Sequence, residues 1–410
     1  MHLARSRFVL AALLLLIHQQ NARAESQDTT AWNHWFYQQI LQHPEVVSER
    51  EKMNAQLSTT EARDQPLYNP ELEAEVEREG DDNNSRIGVN QTLDWWDKRG
   101  ARQNQGNHAR QAAQTGYQQV LQQKIMEALL AINDWQSAQQ RVTFAREQES
   151  QLDALLALVE QRQKTGDLGQ IDAELALLTL AQLLNDSADA EAQLAKAGAT
   201  LKALFPERST ATITIPEAFW QQQRRGVDPA QQVDRHPRVT QALAEWNAAK
   251  AQADVAARDA KSDPTVGING GKSGEDNVVA LTLSIPLALR NDYRAEVRAA
   301  SQEALAAEAH YYQARRQQVA LLEGSEAALK AYAGRHERWR TVMQTRVGNS
   351  AALLEKQWRT GDLSTPDYLL ALKERGESLQ AGIELESEWH QAVLEWLLES
   401  GQLIDAIERN

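Results

Sequence analysis

Residues that could do chemistry are plentiful in this chain, but their spacing is wrong for it. Gly267-Ile268-Asn269-Gly270-Gly271-Lys272-Ser273 approaches a phosphate-binding loop, in which backbone amides cradle phosphates and a lysine and hydroxyl complete the grip. Only three residues separate Gly267 from Gly271-Lys272-Ser273 where four are needed, and no β–α context follows, so the cluster reads as strand and loop glycines. The nine histidines show no ligand spacing; His43 and His236 each precede a proline that can open a helix. No nucleophile, histidine and acid form a catalytic set, and Asp/Glu pairs are too common on helices to mark one. Cysteine is absent, which excludes disulfides and thiolate metal sites. The reading is of a protein that is not an enzyme and uses no cofactor or resident metal.

Charge and targeting narrow the class. The formal net charge is −14, and removal of residues 1–24 takes away Arg5, Arg7 and Arg23 but no acid, leaving −17. An acidic surface disfavours nucleic acid and suits solubility or cation traffic. The Arg and Lys of the helical stretches read as solvated or salt-bridging faces. Arg5 and Arg7 precede an apolar run from Phe8 to Ile17, and Ala22-Arg23-Ala24 offers a small-x-small cleavage site. This is the pattern of a secretory signal peptide over residues 1–24, too short in its apolar part to span a bilayer. Without cysteine, no lipid can be attached to a mature N-terminal cysteine, so the chain is expected not to be a lipoprotein.

The elements that would carry a function come in two similar series. Trp32 to Leu41 reads as a short helix, and a second runs from Pro44 towards Glu61. Then Leu72, Ala74 and Val76 alternate with Glu71, Glu73, Glu75 and Glu77, the period of a strand over about 71–78. Gly80 to Ser85 reads as a polar loop. A second strand over 86–96 follows, with Ile87, Val89, Gln91, Leu93 and Trp95 on one face. From Lys98 to Lys164 no proline occurs, and Leu121, Ile125, Leu129, Ile132, Leu152, Leu155 and Val159 recur at helical steps. Such a helix would be about 100 Å long. It turns at a glycine-centred tip, residues 164–169, and returns through Ile171 and Leu175 towards Phe205-Pro206.

The order then recurs. His43-Pro44 matches His236-Pro237, Asn69-Pro70 matches Asp263-Pro264, and Thr165-Gly166-Asp167-Leu168 matches Thr360-Gly361-Asp362-Leu363, all at shifts of 193 to 195. Two tandem repeats are predicted, 25–205 and 229–410, joined by a connector over 206–228. The second holds strands at about 264–271 and 278–286, a helix from Arg290 to Trp358, a tip at 359–364 and a return helix from Pro366 to about Leu403. Glycine ends one helix at each tip and the next residues start another.

Each strand is about as long as one that crosses a membrane in a tilted barrel, and its outward face is aliphatic. Trp95 and Trp96 stand where strand meets helix, as interfacial barrel aromatics would. Four strands cannot close a barrel, and an open edge in lipid leaves backbone groups unsatisfied, so the chain must oligomerise. Two copies give eight strands and three give twelve. Glu73, Glu75 and Glu77 would crowd a filled eight-stranded interior, so a water-filled trimeric barrel is the better solution. A soluble periplasmic helical-hairpin adaptor or scaffold would share the signal and the hairpins; the membrane-length strand pairs separate the two readings.

The two helix–hairpin–long helix–turn–helix units, the segment Val278-Val279-Ala280-Leu281-Thr282-Leu283-Ser284-Ile285-Pro286-Leu287 and the two glycine tips together resemble the TolC family of outer membrane factors, over essentially the whole mature chain. The resemblance implies a mainly α protein with a small membrane β-barrel. It implies a homotrimer whose twelve-stranded barrel sits in outer membrane lipid and continues into a periplasmic helical tube. It implies passive export from a periplasmic adaptor and an inner-membrane pump of the RND type, in a Gram-negative envelope. Asn69-Pro70-Glu71-Leu72 and Arg359 to Ser364 look most like the branch serving heavy-metal cation efflux; ducts for drugs or for type I secretion are the other members. Carried over by position, Thr165, Gly166, Asp167, Leu168, Thr360, Gly361, Asp362 and Leu363 would meet the adaptor. Asp367, with Asp172 in the first repeat, falls at the family's constriction. Trp358 stands where the family has a gate tyrosine and Leu363 where it has an arginine, so a closed state held by the same polar contacts is not expected. Asp172 and Asp367 would equally serve as first-turn acids favoured by a helix dipole.

Overall fold

The computed structural model describes residues 29–80, 82–165, 169–220, 229–346 and 350–408. The chain is mostly helical with one small antiparallel sheet. In order, the elements are α1 (residues 29–42), α2 (Pro44–Arg63), β1 (Glu71–Glu79), β2 (Asp82–Thr92), α3 (Lys98–Thr165), α4 (Gln170–Leu204), α5 (Glu217–Trp220), α6 (Pro229–Arg235), α7 (Pro237–Asp259), β3 (Thr265–Ser273), β4 (Asp276–Ser284), α8 (Arg294–Arg346), α9 (Ser350–Thr360), α10 (Thr365–Glu399) and α11 (Leu403–Glu408). Among the described residues, no helix is long and apolar enough to cross a membrane. The signal segment lies outside the described residues, as do residues 221–228 of the connector.

The chain divides into two compact units. One comprises residues 44–120 and 230–319 and holds the sheet, in the order β1-β2-β3-β4. Both hairpins are tighter than the alternation implied. Gly80 (φ +66°) and Gly274 (φ +60°) turn the chain within two residues, so β2 begins at Asp82 and β4 at Asp276. Asn83, Asn84 and Ser85, read as loop because they are polar, pair with Arg78, Glu77 and Val76. At the other end β2 stops at Thr92, so Leu93 and Trp95 lie beyond the strand. There the Asp94 carboxylate accepts from the backbone amides of Lys98 (2.7 Å) and Arg99 (2.8 Å) and starts α3. α8 likewise starts at Arg294 rather than Arg290. Tyr293 takes a positive φ of 53°, and the Asn291 and Asp292 side chains accept from the amides of Tyr293 and Arg294. Where one helix to Trp358 was expected, α8 and α9 are described separately, and residues 347–349 between them are outside the described set.

A buried ion pair ties the foot of this unit together. Lys98 Nζ lies 3.0 Å from Asp263 Oδ2, and both side chains are almost fully enclosed. Tyr68 donates its hydroxyl to the same oxygen at 2.7 Å, the Trp95 amide donates to Oδ1, and Lys98 also donates to the Lys261 carbonyl. Burial alone would raise the Asp263 carboxyl, but the hydrogen bonds from Tyr68 and Lys98 outweigh it and hold the pKa below the usual carboxylate range. Burial, reinforced by the Asp263 bond, pushes the Tyr68 hydroxyl up to about 12. The network joins the segment before β1, the β2–α3 turn and the residues before β3.

The other unit comprises residues up to 43, 121–229 and 320–410. The apolar stripe read on α3 is its buried face: Leu121, Ile125, Leu129 and Ile132 are enclosed, as are Leu152, Leu155 and Val159. α1 contributes Phe36 and Ile40, with Trp32 stacked on Phe36 at 5.0 Å. The connector supplies core residues of its own, Ile213, Ile215, Phe219 and Trp220, and Trp220 stacks on His390 of α10 at 3.8 Å. Burial there, with the charge of His336, lowers the His390 pKa to about 4, so the ring is neutral near pH 7.

Removing Asp263 leaves the Lys98 ammonium buried without its counter-charge, which costs about 3–5 kcal/mol. Asp263→Ala is therefore expected to lower the urea unfolding midpoint of the detergent-solubilised protein at neutral pH. Because the folded carboxyl titrates below its unfolded value of about 3.9, the wild-type advantage is complete above that pH and shrinks as pH falls through the folded pKa. A gap between variant and wild type that does not depend on pH would contradict this role.

Candidate functional site

Two places concentrate the features singled out in the sequence. The first is the sheet. Its register puts Leu72, Val89, Ile268 and Leu281 in one row, Ala74, Ile87, Gly270 and Val279 in the next, and Gln91, Val266 and Leu283 in a third, all on the same face. That face is aliphatic and bare: Val76, Val279 and Leu281 are 85%, 76% and 83% exposed. An ordinary soluble sheet buries such a face against helices. The opposite face is polar. It carries Glu71, Glu73, Glu75 and Glu77 along the edge strand, where Glu73 accepts from Asn90 at 2.8 Å and Glu75 lies 3.7 Å from Arg86. The glycine cluster of β3 is divided between the faces, with Gly267 and Gly271 on this one and Gly270 on the aliphatic one, and a Cβ on Gly267 would collide with the Asn90 side chain. It sits mid-sheet between β2 and β4, which is no setting for a phosphate loop. Among the described residues, β1 and β4 each pair on one side only.

Trp95 and Trp96 lie just past the end of β2. Trp95 is largely exposed. Trp96 is held in place: its indole N–H donates to the Ser262 carbonyl at 2.9 Å and Lys261 Nζ lies 4.5 Å above its ring. Arg258 clamps the same turn through the carbonyls of Trp96 and Asp97 and the Asp97 carboxylate.

The second place is the tip between α9 and α10. Gly361 adopts φ +81°, and the amides of Asp362 (2.9 Å) and Leu363 (3.2 Å) fold back onto the Gln357 carbonyl, closing α9. Thr360 donates to Asp362 Oδ2 at 2.7 Å. Ser364 then caps α10: its Oγ accepts from the Asp367 amide at 3.2 Å and donates to the Asp367 carboxylate at 2.5 Å. Asp367 thus bonds its cap residue through both amide and carboxylate, and Pro366 sits in the first turn. Trp358 is only 2% exposed. It stacks on Tyr368 at 5.1 Å and donates Nε1–H to Thr365 Oγ1 at 3.0 Å. Around it pack Leu152, Leu155 and Val159 from α3, Ala173 and Ala176 from α4, and Leu369 from α10. Burial, then the Glu355 charge, raises the Tyr368 pKa. Of the first tip, Thr165 is the last residue of α3 and Asp172 falls in the first turn of α4, whereas Gly166, Asp167 and Leu168 lie outside the described residues.

The sequence reading named Trp358 and Asp367 but missed Tyr368 and Thr365, the partners of Trp358; spacings of ten and seven residues across a helix reversal carry no simple periodic signal. It also passed over Asp263, noted only for the proline after it. Among the described residues, no three histidine or acidic side chains converge to hold a metal ion.

A helical protein with one open sheet, bare and aliphatic on one face, has a known counterpart. Residues 47–205, from α2 through α4, match the outer membrane efflux protein family. The fold of the chain is similar to that of the outer-membrane channel OprN, with a TM-score of 0.75 and 17% identity over 91% of this chain and 90% of that one. It is also similar to the outer membrane protein VceC from Vibrio cholerae (TM-score 0.71, 14% identity, 90% and 96% covered) and to the open state of the MtrE outer membrane channel from Neisseria gonorrhoeae (TM-score 0.72, 13% identity, 90% and 89% covered). Among curated proteins no sequence matches.

Truncating a buried tryptophan leaves a large cavity and costs about 3–5 kcal/mol. Trp358→Ala is expected to raise amide hydrogen exchange around residues 152–159 and 365–369 while leaving the β-strand amides protected. Trp358→Phe, which keeps the ring stack and loses the bond to Thr365, should fall between. Unchanged exchange at both places in Trp358→Ala would refute the clamp.

Proposed function

We propose that this protein is the outer membrane channel of a tripartite efflux system, passing substrate from a periplasmic adaptor and an inner-membrane RND pump to the outside. The observation that carries this reading is the sheet: a bare aliphatic face, a polar acidic face and two unpaired edges in a chain whose residues 47–205 match the outer membrane efflux protein family. Lipid supplies the missing cover for the aliphatic face, and further copies supply partners for β1 and β4. Three copies give a twelve-stranded barrel with the glutamates lining a wet lumen, a homotrimer in which two similar halves of each chain contribute two strands apiece. Residues 1–24 act as the export signal and the mature chain carries no lipid anchor.

The tips at Thr165 to Leu168 and Thr360 to Leu363 are the adaptor-docking ends. Asp362 and Thr360 are exposed there on a turn fixed by its own hydrogen bonds, which suits recognition by a partner. Asp172 and Asp367 stand at the constriction as first-turn acids, and Trp358 supports it from within the helix cluster. Conduction needs no catalysis; fixed acidic charge concentrates cations in the lumen, which favours heavy-metal cations as cargo.

Charged substitution on the lipid face tests the barrel. Val279→Arg or Leu283→Arg is expected to cost about 2–4 kcal/mol per site at the bilayer midplane and to reduce heat-stable trimers recovered from outer membranes. Normal trimer yield, or recovery of the wild type as a soluble periplasmic monomer, would overturn it. Deleting the gene should lower tolerance to cobalt, zinc, cadmium or copper more than to a panel of dyes. Loss of dye tolerance alone would reassign the cargo.

A further inference from the structure

The apolar character of the chain does not end where the hydrogen bonds of the sheet end. Thr92, Thr265 and Ser284 pair at one level, and beyond it the chain continues as 93–97 after β2 and 285–293 after β4. The odd-numbered row Val279, Leu281 and Leu283 goes on through Ile285, Leu287 and Leu289, with Ser284, Pro286 and Ala288 between. Leu287 and Leu289 are 75% and 85% exposed, and Trp95, past the same end of the sheet, is 67% exposed. Two long aliphatic side chains held in water forgo most of the stabilisation that burial would return. A neighbouring copy completing the barrel bonds to the edge of β4 rather than to its aliphatic face.

Cations follow at once. Arg290 is exposed directly after Leu289, and Lys261 stands over the Trp96 ring. The nearby acids are already engaged: Asp97 with Arg258 at 2.7 Å, Asp292 with Arg294 at 3.1 Å, and Asp94 with the start of α3. An aliphatic and aromatic band followed by basic side chains has the order of a membrane boundary, acyl chains first and phosphates next.

We propose that residues 285–293, together with Trp95 and Lys261, form a collar that docks on anionic phospholipid at the helix-side boundary of the membrane. Leu287 and Leu289 enter the acyl region and Arg290 meets the phosphates. This rests on the barrel reading above and adds to it a lipid class and a set of residues outside the strands.

The chain contains no cysteine, so single cysteines can be introduced and labelled with a nitroxide without removing native ones. Val279→Cys and Leu289→Cys are reconstituted as full-length protein in vesicles of phosphatidylcholine, with or without an equal part of phosphatidylglycerol. Collisions with oxygen and with a water-soluble nickel chelate report depth. The label at 279 should meet oxygen and exclude the chelate in both vesicles. The label at 289 should be immersed at headgroup depth, more so with phosphatidylglycerol. Adding Arg290→Glu should cut the immersed-to-exposed ratio at 289 about fivefold or more in the anionic vesicles, while position 279 does not change. Free access of the chelate to 289 while 279 stays in lipid would overturn the collar and leave the barrel. Exclusion of both probes from 289, with spin–spin broadening, would assign the segment to contact between copies and also overturn it. Free chelate access at both positions would remove the barrel reading and the collar with it.

Discussion

Backbone amides and carbonyls at the edge of a sheet need partners, and in hydrocarbon only another strand can provide them. Everything in the sheet-bearing unit is arranged around that requirement. Four strands pair in one continuous register, Leu72 through Val89 and Ile268 to Leu281, so that a single aliphatic surface results. The surface needs an apolar solvent, and the edges then cannot remain open. One chain satisfies neither demand by itself. In the proposed barrel, the aliphatic outside, the acidic inside and the two unfinished edges make the sheet one piece of a larger closed wall.

A wall built from two hairpins needs those hairpins held at a fixed register where they join the helices. Asp263 does this from the segment before β3. It gathers the Tyr68 hydroxyl, the Trp95 amide and the Lys98 ammonium, which come from both ends of the first hairpin. A buried pair of this kind gains little net stability over an apolar substitute. Its worth is directional: a carboxylate with three donors around it tolerates one geometry, where packed aliphatic groups would tolerate several. Arg258 repeats the principle a turn earlier, bridging from α7 to the Asp97 turn.

How much of this was legible before the structure depends on which interactions are local. Helices were legible because proline, glycine and the three- and four-residue apolar step act within a few residues; the buried stripe of α3 is the stripe read from its sequence. The aliphatic strand faces were legible for the same reason. Strand limits were not. Asn83 to Ser85 are polar on both faces, so alternation is silent there, and only the two-residue turn at Gly80 shows that they pair. The start of α8 was misplaced because the side chains of Asn291 and Asp292 compete for amides that a helix would use. Partners distant in sequence, such as Tyr68 and Asp263 or Trp358 and Tyr368 with α3, leave no trace in any window of residues.

Trp358 shows what such a hidden partner changes. As a lone aromatic before a glycine turn it could face a lumen, an adaptor or a core. Its neighbours decide among these: a ring stacked on Tyr368, an N–H already given to Thr365, and aliphatic side chains from α3 and α4 on its flanks. A side chain so fully engaged has nothing left to offer a passing substrate. What it can transmit is position, because α9, α10 and the first hairpin share one packed cluster, and close-packed clusters move as blocks. A partner protein that displaced the exposed Thr360–Asp362 turn would therefore act on both helical hairpins of the chain through Trp358.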